Sequence, residues 1–131
     1  MFDLNGKSAC LKNQGKVRND QGHANCASVG GYVPLPENKQ HNTDLAAAFK
    51  QLNAGGVLLD LKPQGKHYWV DSDGNVGRFF NWGRWENLSG GTVKYAVMRV
   101  NDVRQEWFDT SAAFRSNLVC EREPTLDCHE W

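Results

Sequence analysis

The residues with chemistry to offer concentrate between Phe79 and Glu121. Within that stretch, Arg84-Trp85-Glu86-Asn87 sets an indole between a guanidinium and a carboxylate, with an amide beside them, in a Gly-punctuated polar run. An indole so placed can stack on the apolar face of a ligand while its neighbours hydrogen-bond the polar edge. That is recognition chemistry rather than bond-breaking chemistry; packing of the loop itself is the other use of the same ring. Asn87-Leu88-Ser89 is an N-glycosylation sequon, either carrying a glycan in a secreted protein or left unused. Asp71-Ser72-Asp73-Gly74-Asn75 has the opening acids of a calcium loop, but no Glu stands at its twelfth position, so it reads as a hairpin turn.

Catalytic constellations are missing. His23, His41, His67 and His129 fall in different elements without an i,i+4 pair, and there is neither a G-x-S-x-G nor a phosphate loop. His23 lies three residues before Cys26, but a disulfide there removes the thiol from nucleophilic work. No enzyme is expected. The four cysteines, at 10, 26, 120 and 128, lack a C-x-x-C pair, which argues against zinc. Their even number suits two disulfides in a secreted protein, with three connectivities open.

The elements that must position these residues come from a chain of 131 residues, the size of one domain with its own core over 1–131. Fifteen basic and fifteen acidic residues cancel, leaving no whole-molecule field for nucleic acid or an anionic membrane. The charge is uneven: the first eighteen residues are mostly basic and the last eleven mostly acidic, as suits termini that lie together. No apolar run approaches a membrane span, so membrane insertion is not expected. No signal peptide is recognised, and an initiator Met before a polar start fits a mature domain expressed without its leader.

Ser8–Leu11 reads as a short strand. Asn19 or Asp20 is expected to cap a helix running through Cys26 to Val29, ended by Gly30-Gly31. Tyr32–Pro36 is extended, because each Pro excludes its predecessor from the helical region. A second helix, from about Glu37 or Asn42 to Leu52, carries Leu45, Ala48, Phe49 and Leu52 on one stripe, with Gly55-Gly56 as its stop. The Ala46–Ala48 run lets it sit close to a sheet. The period then becomes two: Val57–Leu61 and His67–Val70 read as strands, and so do Tyr95–Val100, Glu106–Asp109 and Asn117–Glu121. Helices followed by strands predict an α+β domain, two helices on small antiparallel sheets, with a long irregular loop before Tyr95. A loop of that length is functional or disordered, and the apolar surface of Trp82 and Trp85 argues against disorder.

Several of these pieces together resemble the C-type lectin-like domain family, over about residues 8 to 123. Cys26-Ala27-Ser28-Val29-Gly30-Gly31-Tyr32-Val33 with Pro36 is similar to the family's first-helix cysteine, paired glycines and following Pro. Trp69 with Asp73-Gly74 resembles its tryptophan strand and turn, and Asn81-Trp82 the start of its long loop. Trp107-Phe108-Asp109 resembles its Trp-Asn-Asp triplet, and Leu118-Val119-Cys120-Glu121 its closing strand. The resemblance implies a disulfide Cys26–Cys120, a closure that stabilises by about 4–5 kcal/mol in the chain-entropy model. Ala96 and Ala112 stand at the family's second pair. Some members tie a cysteine before the first helix to one beyond the last strand, which here implies Cys10–Cys128.

Sugar-binding members hold a calcium ion in the long loop. Carried over by resemblance, Glu86 and Asp109 match two ligand positions, whereas Asn87-Leu88 stand for Pro-Asn, Lys94 for a Glu and Phe108 for the strand Asn. Calcium takes six to eight oxygens, and Phe108 and Leu88 supply none from their side chains. Without proline, a cis bond before Asn87 costs about 2.5–4 kcal/mol. Lys94 puts an ammonium where the cation would sit, pairing with Glu86 and Asp109. The resemblance also makes Trp82 and Trp107 core residues rather than platforms. No metal or other cofactor is therefore expected. The implied function is extracellular recognition of a glycan or protein through Arg84, Trp85, Glu86, Asn87, Lys94 and Asp109. A calcium lectin with a rearranged site, using Glu86, Asn87, Asp109 and backbone carbonyls, is one alternative; a dimerisation, mineral- or ice-surface domain is another.

Overall fold

A computed structural model describes residues 1–65, 68–83, 94–128 and 131. The strands are β1 (Phe2–Leu4), β2 (Lys7–Arg18), β3 (Gly56–Leu59), β4 (Lys62–Gln64), β5 (Tyr68–Val70), β6 (Lys94–Arg99), β7 (Trp107–Ser111) and β8 (Arg115–Arg122); the helices are α1 (Gly22–Ser28) and α2 (Lys39–Gln51). One sheet runs β1-β2-β8-β3-β6-β7, and β4 pairs with β5 beside it. The fold is α+β.

Alternation along the central strands decides where the helices go. Val57 and Leu59 of β3 and Val119 of β8 join Leu45 and Phe49 of α2 in one buried cluster. Leu58, Leu118 and Cys120 join Cys26 of α1 in another. Successive strand side chains point to opposite faces, so α1 and α2 cover opposite faces of the same strands. The α2 stripe is buried at Leu45, Ala48 and Phe49, with Ala46 and Ala48 against the core and Ala47 outside. Asn38 caps α2, accepting from His41 N at 2.8 Å. Gly22 of α1 lies so close to the sheet that a Cβ would fall 2.4 Å from Leu58 Cδ2.

Both disulfides join the pairs that the resemblance implies: Cys26–Cys120 ties α1 to β8, and Cys10–Cys128 ties β2 to the tail. The β2–β8 pairing, from Cys10↔Arg122 to Arg18↔Arg115, sets the basic start beside the acidic end.

Four sequence expectations are corrected. The main sheet is mixed, not antiparallel throughout, because β3 meets β8 in parallel at Val57↔Asn117; the chain through β4–β7 is long enough for that return. The strand expected at Ser8–Leu11 is β2, twelve residues rather than four, since β8 supplies its partners and a bulge between Asn13 and Lys16 takes up the irregular sequence. Neither Asn19 nor Asp20 caps α1: Asn19 is buried, and its amide bonds Ser111 O at 3.0 Å and Ser116 Oγ at 2.7 Å. The stop after α2 is Asn53, at φ 59°, rather than Gly55-Gly56.

Candidate functional site

The described entrance to the long loop, Phe79–Gly83, is held on β7 by backbone and by rings. Trp107 N donates to Asn81 O at 2.8 Å, and Gly83 N to Trp107 O at 2.9 Å. The Asn81 amide donates to Arg104 O at 2.9 Å and Gln105 O at 3.0 Å. Trp82 lies 4.7 Å from Trp69 and edge-on to Trp107 at 5.8 Å, while Phe79 meets Trp107 edge-on at 5.7 Å. Trp107 is fully buried, its Nε1 donating to Asn42 Oδ1 at 2.8 Å. Trp82 and Trp107 are therefore anchors of the loop. A buried indole N–H needs such an acceptor, and Asn42 on α2 is a partner the sequence does not advertise.

Register then explains how β6 and β7 present Lys94 and Asp109. Ala96 pairs with Asp109, and Lys94 with Ser111, so Lys94 and Asp109 are diagonal neighbours on one face, the face of Trp107. Their charged atoms are 3.5 Å apart, with the Asp109 side chain 8 % exposed and that of Lys94 25 %. Asp109 Oδ2 is buried and accepts no hydrogen bond; among the described residues, the Lys94 ammonium is the cation that offsets its charge. Phe108 points to the other face, under the Arg99 guanidinium at 4.6 Å and edge-on to Phe114 at 6.0 Å. Among the described residues, this place thus offers one carboxylate, one ammonium and no side-chain oxygen from position 108. Glu86, Asn87 and Leu88, the other residues that the resemblance sets at the ion, lie outside the described residues. So do Arg84, Trp85, His67 and His129.

The Asp71–Gly74 segment is a turn, as its sequence predicts. Asp71 Oδ1 accepts from Asp73 N and Asn75 N, each at 2.9 Å, and Gly74 takes φ 85°. Asp60, leaving β3, ties this turn to α1. Its carboxylate accepts from Ser72 Oγ at 2.9 Å and Ser72 N at 3.2 Å, and lies 3.3 Å from His23 Nε2. Burial lowers the His23 pKa and raises that of Asp60, the latter opposed by the Ser72 bonds. The Ser72 hydroxyl donates to the Asp60 carboxylate rather than to an imidazole.

Sequence reasoning also missed a groove of about 990 Å³ between the Tyr32–Glu37 segment and the Asp71–Phe79 segment, with Asp60 and Glu121 in its wall. Tyr32 pairs its backbone with Glu121, and its hydroxyl donates to Glu121 Oε2 at 3.1 Å. No short motif marks the groove, because residues from five separate parts of the chain build it.

No protein-family model and no curated protein matches the chain. Solved structures do. The C-type lectin CEL-I from Cucumaria echinata is 16 % identical, with 91 % of this chain and 94 % of that one covered at a TM-score of 0.72. Human lithostathine is 16 % identical, with 90 % and 85 % covered at 0.75. A calcium-independent type II antifreeze protein is 18 % identical, with 93 % and 91 % covered at 0.73. The chain has the C-type lectin-like fold.

Proposed function

We propose that this domain of C-type lectin-like fold is an extracellular recognition module that binds a glycan or protein through its long loop, without the usual calcium ion. The observation that carries the reading is the Lys94–Asp109 pair at 3.5 Å on the core face of β6 and β7. A cation built into the chain answers the carboxylate that a bound ion would otherwise answer. Recognition then rests on Trp85 stacking and on hydrogen bonds from Arg84, Glu86, Asn87, Lys94 and Asp109. Two disulfides suit an oxidising, secreted setting. The likeness to a calcium-independent antifreeze protein supports a use of the fold that needs no ion.

One observation favours a second reading. Asp109 Oδ2 is buried without a hydrogen-bond donor, an oxygen that a calcium ion could use if Glu86, Asn87 and backbone carbonyls supplied the rest. A glycan array probed in calcium and in chelator separates the two. The first reading predicts the same bound glycans in both, all lost in Trp85→Ala; binding seen only in calcium favours the second. No glycan in either condition leaves protein-ligand or surface-binding roles.

A further inference from the structure

We infer that the groove between the Tyr32–Glu37 and Asp71–Phe79 segments is a second binding site, for an extended arginine- or lysine-bearing peptide segment of a partner protein. Its volume, about 990 Å³, accommodates several residues of chain. Among the described residues, five carboxylates line it, from Glu37, Asp60, Asp71, Asp73 and Glu121, against one guanidinium, that of Arg78. His41 adds no charge to offset them: burial lowers its pKa, and its Nδ1 accepts from Glu37 N at 3.1 Å. The field in the groove is negative, which excludes an acidic ligand and favours a basic one.

The lining chooses a peptide over a free ion. Val33, Leu35, Val76 and Phe79 give the groove apolar stretches between its acids. Arginine and lysine side chains match that alternation, laying methylene stems on apolar surface while their heads reach carboxylates. The Tyr32 ring is 45 % exposed at the groove wall and offers a face to a guanidinium. A bare metal ion does not fit, since among the described residues no three acids or imidazoles converge on one point. Asp60 and Asp71 are committed to the turn through Ser72, Asp73 N and Asn75 N. That leaves Glu37, Asp73 and the Glu121 carboxylate, one oxygen of which accepts from Tyr32, to meet the ligand. Burial, with Glu123 and Glu37 adding to it, pushes the Glu121 carboxyl up, as expected where carboxylates crowd together. A bound cationic side chain relieves that crowding.

The test is calorimetric titration at low salt of acetyl-Arg-Gly-Arg-Gly-Arg-Gly-Arg amide, of the same peptide with Glu for Arg, and of spermine. The arginine peptide is expected to bind and the glutamate peptide not to. Glu37→Gln/Asp73→Asn/Glu121→Gln should weaken binding at least about tenfold, and Tyr32→Leu about threefold. Asp102→Asn/Glu106→Gln, outside the groove, should leave it unchanged. Glu37→Gln alone, at an exposed position, should weaken binding about threefold even if the triple variant fails to fold. Binding equal in parent and Glu37→Gln, no binding at millimolar peptide, or spermine binding as tightly as the peptide would each overturn the inference. Trp85→Ala leaves peptide binding intact, so this outcome is independent of the long-loop reading.

Discussion

Replacing Lys94 with Met keeps the apolar stem and removes the ammonium. Taking the cation from a buried pair leaves an uncompensated charge, which costs about 3–5 kcal/mol, whereas an exposed pair contributes less than about 1 kcal/mol. The Asp109 side chain is 8 % exposed, which argues for the upper figure. The Lys94 side chain is 25 % exposed, and the 3.5 Å separation is longer than a charge-assisted hydrogen bond, so the effect is smaller. The expected loss is about 1–3 kcal/mol. Urea denaturation of the parent, Lys94→Met, Asp109→Asn and the double variant measures it as a cycle. Because Asp109→Asn removes the charge that Lys94 answers, the double variant should lose less than the sum of the singles, with a coupling of about 1–2 kcal/mol. A Lys94→Met variant within about 0.5 kcal/mol of the parent, with no coupling to Asp109, would refute the reasoning.

Three further outcomes follow from single contacts. Gly22→Ala should destabilise by about 1–3 kcal/mol in thermal or urea unfolding, because its Cβ would meet Leu58 Cδ2 at 2.4 Å and Leu118 Cδ1 at 3.3 Å; an unchanged midpoint would mean that α1 moves off the sheet freely. Replacing Cys26 and Cys120 together with Ala should cost about 2–5 kcal/mol, read by the same unfolding. Burial holds the Glu121 pKa above its ordinary 4.5, so its contribution to stability is fully present below that value and is lost as pH rises through the folded pKa. Glu121→Gln should therefore gain stability relative to the parent at pH 7, with the difference closing toward pH 4; a gap that widened in acid would reverse the sign.

What the sequence disclosed and what it hid follow from how local each signal is. The α2 stripe of Leu45, Ala48 and Phe49 is a period within one helix, so it was legible, and so was the Asp71–Gly74 turn. β1 was missed although Asn5-Gly6, at φ 54° and 81°, is a strong hairpin signal. The extent of β2 could not be read, because Lys12-Asn13-Gln14-Gly15-Lys16 lacks alternation and is carried past a bulge, where Gly15 takes φ 83°, only by pairing with β8 on either side. Asn19 looks like a cap in sequence, yet its partners Ser111 and Ser116 lie more than ninety residues away. The Lys94–Asp109 contact was legible only through the resemblance, since register rather than spacing brings the two together. The acidic groove was not legible at all: Tyr32, Asp60, Asp71 and Glu121 meet only after the sheet has formed.

The central claim, that a lysine of the chain stands where an ion would be held, is tested most directly by melting the protein in millimolar calcium and again in chelator. A ligand that binds only the native state at a hundredfold excess over its dissociation constant stabilises by about 2.7 kcal/mol. For a domain of this size that is a rise of several degrees in Tm. The account predicts the same Tm in calcium and in chelator. A calcium-dependent rise of several degrees that Glu86→Gln abolishes would contradict it.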